Sequence, residues 1–227
     1  MRHDSVVTID DVTTRALVVP LLVALTICTA SASADGTQVV RLAAVQDVSL
    51  PFWCDWGYDW DERCYRDDGD RLPVGGDDDK LWRAALRFST STVPPGSAVL
   101  RAELSISHDA RCLGPRKTIR ACETRAYALD AHPIISSNWF RERELDFGAA
   151  VSSAEIDSAD QAQRLSFDLT DLVAAWVDGS RPNSGILLKL SEDHEDFGVG
   201  GPSLPSSTFV QPTLRPQLEI GYVNAAG

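Results

Sequence analysis

Hydrophobic and polar residues alternate in several segments of the chain, and this period of two is typical of half-buried β-strands. The clearest case is AVLRAELSISH, residues 98–108. Every second position of this segment is hydrophobic: Leu100, Ala102, Leu104 and Ile106. Residues 83–89 (RAALRFS) alternate in the same way, and residues 90–97, which contain Pro and Gly, favour a turn between the two segments.

Three other segments carry strand patterns. Residues 118–129 (TIRACETRAYAL) are predicted to be one extended stretch. Its hydrophobic residues share one parity: Ile119, Ala121, Tyr127 and Leu129. Residues 185–191 (GILLKLS) form a short apolar run that suits a central strand, and residues 216–223 (PQLEIGYV) alternate again.

One segment, residues 169–179 (LTDLVAAWVDG), has a helical period instead. We expect Thr170 to be its N-cap and Gly179 to lie at its C-cap. The apolar residues of one helix face, predicted to pack in the core, are Leu172, Val173, Trp176 and Val177. One short helix among many strands, joined by loops rich in Gly, Pro, Ser and Asp, predicts an all-β antiparallel sandwich.

The N-terminus carries the pattern of a secretory signal peptide. Residues 16–27 are apolar apart from one Thr, and Ala32-Ser33-Ala34 is a small-residue cleavage motif, so we expect cleavage after Ala34. The apolar run is shorter than the ~20 residues of a membrane-spanning helix. Because acidic residues accompany the basic ones before this run, the true start codon can lie further downstream. The chain is therefore predicted to be secreted, with residues 1–34 removed, residues 35–227 forming one domain, and no membrane association afterwards.

Cysteine usage agrees with an exported protein. Loss of the signal peptide leaves four of the five cysteines: Cys54, Cys64, Cys112 and Cys122. An even number of cysteines in a secreted chain predicts two disulfides. Of the three possible connectivities, the local pairs Cys54–Cys64 and Cys112–Cys122 are the most economical, because each spans ten positions. Zinc binding is not favoured, since the chain lacks a C-x2-C spacing.

The formal net charge of −12 argues against nucleic acid as a partner, because phosphate binding needs a basic surface. A local basic stretch nevertheless surrounds the second cysteine pair: Arg111, Arg116, Lys117, Arg120 and Arg125. By strand parity, Arg116 and Arg120 share a face and Lys117 does not. This stretch is the candidate contact for a polyanion, with an ordinary surface strand as the alternative interpretation.

Residues 52–65 form an aromatic segment bounded by cysteines, and four of its rings are candidate ligand contacts: Trp53, Trp56, Tyr58 and Trp60. The three tryptophans are spaced i, i+3 and i+7, as on one face of a helical turn. A row of exposed rings can follow a sugar polymer. The alternative is that the same face packs against the sandwich as a lid closed by Cys54–Cys64.

Acidic residues cluster in three places: around residues 67–70, 77–79 and 192–196. Calcium prefers carboxylate and carbonyl oxygens, so a structural calcium ion is an open possibility. None of the clusters has EF-hand spacing, and charged loops are commonly just solvated. No cofactor is expected otherwise.

Three blocks of the sequence resemble the DNRLRE-domain family, which overlaps carbohydrate-binding module family 96. Residues 72–106 contain a Gly-Gly loop, R-x-x-L-x-F, a Pro-Gly turn and a strand opening A-x-L. Residues 167–190 resemble the F-D-(V/L)-T-x-L-V-x-x-W hallmark, and residues 215–223 resemble the P-x-L-x-(I/V)-x-Y ending. The resemblance implies a jelly-roll-like β-sandwich from bacterial or archaeal extracellular proteins, some of which bind acidic polysaccharides, with residues 52–65 as an insertion.

The function expected from these observations is a secreted, non-catalytic module that binds an extracellular polysaccharide or cell-surface glycan. The alternative is a structural or protein-interaction domain of the cell envelope or extracellular matrix without a sugar site. Catalysis is not expected, because the sequence contains neither a G-x-S-x-G nor an H-E-x-x-H motif and its histidines are isolated. The sequence does not indicate an oligomeric state.

Overall fold

The computed structural model describes residues 31–32, 36–51, 69–77, 80–135, 145–196 and 198–224. This part of the chain consists of antiparallel β-strands, short turns and one α-helix. The strands are β1 (Ser31–Ala32), β2 (Thr37–Pro51), β3 (Arg71–Pro73), β4 (Gly75–Gly76), β5 (Leu81–Phe88), β6 (Ala98–Asp109), β7 (Arg111–Leu113), β8 (Ile119–Ala121), β9 (Tyr127–Pro133), β10 (Ser152–Ile156), β11 (Ala162–Asp168), β12 (Ile186–Leu190), β13 (Gly201–Pro205) and β14 (Gln217–Val223). The helix α1 (Thr170–Val177) lies between β11 and β12.

The larger sheet has the strand order β10-β9-β12-β5-β2-β14-β6-β11, with β1 beside β2 and β4 beside β5. Strand β2 takes part in both halves of this sheet, since its first residues pair with β14 and its last residues pair with β5. The two end strands, β10 and β11, come close to each other, so the sheet nearly closes on itself. The predicted all-β fold with one short helix is confirmed.

The smaller sheet has the order β3-β13-β7-β8 and leaves β8 at its edge. Strand β13 joins its two halves by pairing with β3 on one side and β7 on the other. Close backbone contact holds this sheet against the larger one. A Cβ at Gly201 would lie 2.0 Å from the carbonyl oxygen of Val74, so only glycine fits there.

The core lies inside the nearly closed sheet, where the predicted alternation is realised. Ala84, Leu86 and Phe88 of β5 are completely buried, as are most residues of the central strand β12. Burial of a large aliphatic or aromatic side chain contributes roughly 1.5–3 kcal/mol, so these two strands supply much of the hydrophobic stabilisation. Trp176 of α1 packs against the same core, as its helical spacing predicts.

One position breaks the predicted alternation of β6. Ala102, Leu104 and Ile106 are fully buried, but Leu100 is 55% exposed. The register between β6 and β14 shifts at Gly221/Tyr222, where Leu100 becomes an extra residue without a cross-strand partner. Such a bulge reverses the side to which following residues point, and Leu100 therefore faces solvent.

The start of α1 also differs from its prediction. Thr170 is the first helical residue and not the N-cap. The carboxylate of Asp168 accepts hydrogen bonds from the Thr170 amide at 3.0 Å and from the Thr170 hydroxyl at 2.6 Å. Asp168 thus stabilises the helix start, and these bonds hold the pKa of its carboxyl below the usual value. Gly179 follows the helix with a φ of +78°, as expected for a residue that ends a helix.

The predicted single stretch at residues 118–129 is two strands in two different sheets. Strand β8 pairs with β7, whereas β9 pairs with β12 and β10. Ile119 and Ala121 are exposed, while Tyr127 and Leu129 are buried. The intervening residues 122–126 are polar or small and mostly exposed, so the chain leaves one sheet and joins the other there.

Ser31 and Ala32, inside the predicted signal segment, form a short strand that pairs with β2. Cleavage after Ala34 remains a prediction. Within the described ranges, no helix combines the length and the apolar character needed to cross a bilayer.

Candidate protein-interaction site

The sequence-predicted residues Arg116 and Arg120 lie in one hairpin, made of β7, a 3₁₀ turn at Pro115–Lys117 and β8. We call residues 111–121 the basic hairpin. Arg116 is on the turn with a φ of +53°, so the strand-parity argument does not apply to it. Arg120 is on β8, directly opposite Cys112 of β7.

A disulfide and a glycine hold the shape of the basic hairpin. Cys112 and Cys122 are bonded, with their Cα atoms 5.0 Å apart, in the pairing that the sequence spacing favours. The amide of Gly114 donates to the carbonyl of Thr118 at 2.7 Å. A Cβ at Gly114 would come within 2.8 Å of the Thr118 hydroxyl, so a larger residue would have to displace that side chain.

The basic hairpin presents cations and an open strand edge. Arg111, Arg116 and Arg120 are exposed. In the part of the chain that the structure describes, Arg120 has one acidic neighbour, Glu123 at 3.6 Å, and neither Arg111 nor Arg116 forms an ion pair. Among the described strands, none pairs with the outer side of β8, and Ile119 on that strand is 40% exposed. This surface is therefore suited to a partner with negative charge and a free backbone edge.

Behind the disulfide lies a buried histidine. His108 is 1% exposed, and its Nε2 lies 2.8 Å from the carbonyl of Ala159 and 3.9 Å from the Sγ of Cys122. Burial lowers the pKa of His108 from its usual value. The ring therefore stays neutral around physiological pH and supports the hairpin from the core side.

A second group of charges was not predicted from the sequence. Glu195 accepts hydrogen bonds from Arg83 at 2.7 and 2.8 Å and from Lys189 at 2.9 Å. We call Arg83, Lys189 and Glu195 the charged clasp. All three side chains are at least nine-tenths buried. Burial by itself would raise the pKa of Glu195, but the bonds from Arg83 and Lys189 outweigh it and hold the pKa below its usual value.

The charged clasp fastens the loop after β12 to the outer face of β5 and β12. The Arg83 guanidinium also lies 5.3 Å from the centre of the Phe147 ring. A signal for the clasp exists in the sequence, because Arg83 and Lys189 interrupt apolar strand segments. Nothing in the sequence, however, identifies Glu195 as their partner among the acidic residues near it.

The described residues of the acidic clusters differ in their burial and hydrogen bonding. Glu192 and Asp193 are exposed, whereas Glu195 points inward. Asp77 is buried, and its carboxylate accepts hydrogen bonds from the Lys80 amide at 2.9 Å and the Trp82 indole at 3.2 Å. Among the described residues, no group of three or more His, Cys, Asp or Glu side chains could hold a metal ion.

The predicted aromatic contacts lie outside the described residues, as do the two cysteines that bound their segment. These residues are Trp53, Trp56, Tyr58 and Trp60, with Cys54 and Cys64. Their roles, as ligand contacts or as a lid, remain predictions.

Comparison with known proteins gives one family. A family model described as TGF-beta propeptide matches residues 68–199, which is more than half of the chain and contains the whole basic hairpin. No curated protein matches the sequence.

This match overturns the resemblance to the DNRLRE-domain family and carbohydrate-binding module family 96. The motifs behind that resemblance describe strands, a Pro-Gly turn and a short amphipathic helix, which recur in many β-sandwiches. The expected function of binding a polysaccharide or cell-surface glycan was wrong, and so was the glycan as a partner. The alternative, a protein-interaction domain, fits the match better.

Two other expectations agree with the match. TGF-beta propeptides are secreted, so the predicted extracellular location is confirmed. The family is not an enzyme family, which is consistent with the expected absence of catalysis.

Proposed function

The chain belongs to the TGF-beta propeptide family, and from this premise we propose that it is a secreted, non-catalytic domain that binds a protein partner. The match over residues 68–199 carries this proposal. The family description pairs the propeptide with TGF-beta, so the partner we propose is a growth factor of the TGF-beta type.

The basic hairpin is the proposed contact surface. Its edge strand β8 offers free backbone groups to an extended segment of a partner, and strand addition at a sheet edge is a common mode of protein recognition. The exposed guanidinium groups of Arg116 and Arg120 favour acidic side chains on that segment, and Ile119 supplies an apolar contact. The Cys112–Cys122 disulfide keeps the surface ordered before binding, which lowers the entropic cost of association.

The direct test is surface plasmon resonance of the secreted chain over immobilised TGF-beta. We expect saturable binding that weakens as the salt concentration rises, because the proposed contacts are charged. Absence of binding at micromolar chain concentrations would contradict the proposed partner.

Charge reversal tests the contact surface separately. Arg116→Glu and Arg120→Glu should each weaken binding by about tenfold or more, because an attractive pair becomes repulsive. Arg164→Glu is the matched control: Arg164 is also exposed but lies on β11. It should leave affinity within about twofold of the original chain. If the hairpin variants bind as well as the control, the basic hairpin is not the contact surface, although the proposed partner is still supported.

A further inference from the structure

The hydrogen bonds of the basic hairpin show which backbone groups of β8 face outward. The Gly114 amide donates to the carbonyl of Thr118 at 2.7 Å, and the Cys122 amide donates to the carbonyl of Ala110 at 3.2 Å. In an antiparallel pair of strands, hydrogen-bonded residue pairs alternate with pairs that are not hydrogen-bonded. The two observed bonded pairs are four positions apart on each strand, so one further bonded pair lies midway between them.

The middle pair consists of Cys112 and Arg120, which lie directly opposite each other. The backbone N–H and C=O of Arg120 therefore point toward β7, whereas those of its neighbours Ile119 and Ala121 point to the free edge of β8. Both neighbours are exposed, and no described strand pairs with this edge. The backbone groups of Ile119 and Ala121 are therefore available to an added strand.

The side chain of Arg120 lies beside this edge and is weakly paired. A Cβ at Gly114 would lie 3.1 Å from the Cδ and Nε atoms of Arg120, so the arginine side chain extends across the glycine. Its acidic neighbour Glu123 lies 3.6 Å away, and both side chains are exposed. Because an exposed ion pair contributes little, a carboxylate on an added strand can replace Glu123.

The alternation of side chains along β8 defines the residues that fit an added strand. Ile119 and Ala121 share one face of β8, and Arg120 points to the other. In an antiparallel strand, the residue opposite Arg120 forms a non-hydrogen-bonded pair, with Cα atoms about 4.5 Å apart, and its side chain lies on the face of the guanidinium group. The residues before and after it exchange backbone bonds with Ile119 and Ala121 and share their apolar face.

We infer that the free edge of β8 binds an antiparallel protein strand with the residue pattern apolar–acidic–apolar. The acidic residue lies opposite Arg120, and the two apolar residues lie opposite Ile119 and Ala121. Antiparallel pairing is favoured because parallel pairing is slightly less stable per residue. This inference rests on the proposed function of the basic hairpin as a protein contact surface, and it adds the register and the chemical class of the partner segment.

The test is an NMR titration of the ¹⁵N-labelled chain with the peptide N-acetyl-Thr-Val-Glu-Val-Thr-amide. We expect the largest shifts at the amides of Ile119 and Ala121, which gain hydrogen bonds. Methylation of the backbone nitrogen of either valine should weaken binding by about tenfold, because it removes a donor that faces β8. Methylation of the glutamate nitrogen should leave affinity within about twofold, since that N–H points away from β8. Equal effects at the three positions, or no binding of the unmodified peptide at millimolar concentration, would overturn the inference.

A charge exchange tests the contact with Arg120. Replacing the glutamate of the peptide by lysine should weaken binding by about tenfold, and Arg120→Glu in the chain should restore it. Arg164→Glu is the matched control, because Arg164 is exposed but lies on β11, and it should not restore binding of the lysine peptide. Equal binding of the two peptides to the original chain, or no restoration by Arg120→Glu, would show that Arg120 does not select an acidic residue.

The growth-factor experiment separates this inference from the proposed function. If TGF-beta binds the chain but the peptide does not, the inferred register is wrong and the proposed function is still supported. If the peptide binds with the expected effects of methylation but TGF-beta does not, the edge site is supported and the growth-factor partner is wrong. Concentration-dependent dimerisation through the amides of Ile119 and Ala121 without peptide would assign the edge to a second copy of the chain and overturn the inference.

Discussion

The charged clasp and the basic hairpin use the same arginine chemistry in opposite environments. The side chains of Arg83 and Glu195 are 7% and 8% exposed, whereas those of Arg120 and Glu123 are 53% and 81% exposed. In the clasp the guanidinium binds both carboxylate oxygens at hydrogen-bond distance, and Lys189 adds a third bond. At the hairpin, the ion pair between Arg120 and Glu123 is 3.6 Å long.

The different burial of these two groups of charges leads to different roles, one in folding and one in binding. Removing a buried charge leaves its partners in a poorly solvated site, so the clasp belongs to the stability of the fold. Exposed charges are already solvated and contribute little to folding. They remain available to a partner, and we therefore assign the clasp to stability and the hairpin to binding.

The largest expected effect is on the clasp. Glu195→Gln removes the carboxylate to which both Arg83 and Lys189 bind, so it should lower the free energy of unfolding by about 3–5 kcal/mol. Urea unfolding followed by circular dichroism measures this loss. The control Glu192→Gln changes an exposed residue of the same loop and should stay within about 0.5 kcal/mol of the original chain. Equal free energies of unfolding for the two variants would show that the buried Glu195 contributes no more to stability than the exposed Glu192.

The second-largest expected effect is on the disulfide of the basic hairpin. Cys112→Ala/Cys122→Ala removes the disulfide and should lower the free energy of unfolding by roughly 3 kcal/mol, because the unfolded chain regains the freedom of the closed loop. The change is measured by thermal unfolding of the oxidised proteins. An unchanged melting temperature would mean that packing around His108 alone orders the hairpin.

Measuring stability as a function of pH tests whether Glu195 stabilises the fold as an ionised carboxylate. Its folded-state pKa lies below the usual value of 4.5, so its stabilising contribution is complete above that value and is lost as the pH falls through the folded pKa. The stability difference between the original chain and Glu195→Gln should therefore narrow below pH 4.5, by at most about 1.4 kcal/mol per pH unit. A difference that stayed constant down to acid unfolding would show that folding does not lower the pKa of Glu195.

The smallest expected effect is on the exposed arginines. Arg116→Gln and Arg120→Gln should each change the free energy of unfolding by no more than about 0.5 kcal/mol. The same urea titrations measure it. A decrease of more than about 1.5 kcal/mol in the free energy of unfolding would mean that Arg116 and Arg120, like the charged clasp, stabilise the fold.

Local patterns allowed much of the fold to be predicted. The alternation in residues 83–89, the apolar run in 185–191 and the helical spacing of 169–179 all correspond to observed elements. Each pattern depends on neighbours within one element, where side-chain direction follows directly from backbone geometry. The same reasoning was wrong at Leu100 and in residues 118–129, because a bulge and a change of sheet interrupt the period.

The candidate site was only partly predictable. Spacing brought attention to Arg116, Arg120 and the nearby cysteine pair, which all lie in one hairpin. The glycan expected as their ligand was wrong, because the family model that matches the chain is that of the TGF-beta propeptide. The free edge of β8 was also missed, because residues 118–129 were predicted as one strand although the chain changes sheets within them.

By itself, the sequence determined that this protein is a chain of half-buried strands with one short helix, because hydrophobic periods are local properties. Only the tertiary structure decided which charges are buried and which are free. Arg83 and Glu195 are separated by 112 positions, and Arg120 is exposed on a strand at a sheet edge. Burial and ion pairing depend on such distant contacts, and no local pattern specifies them.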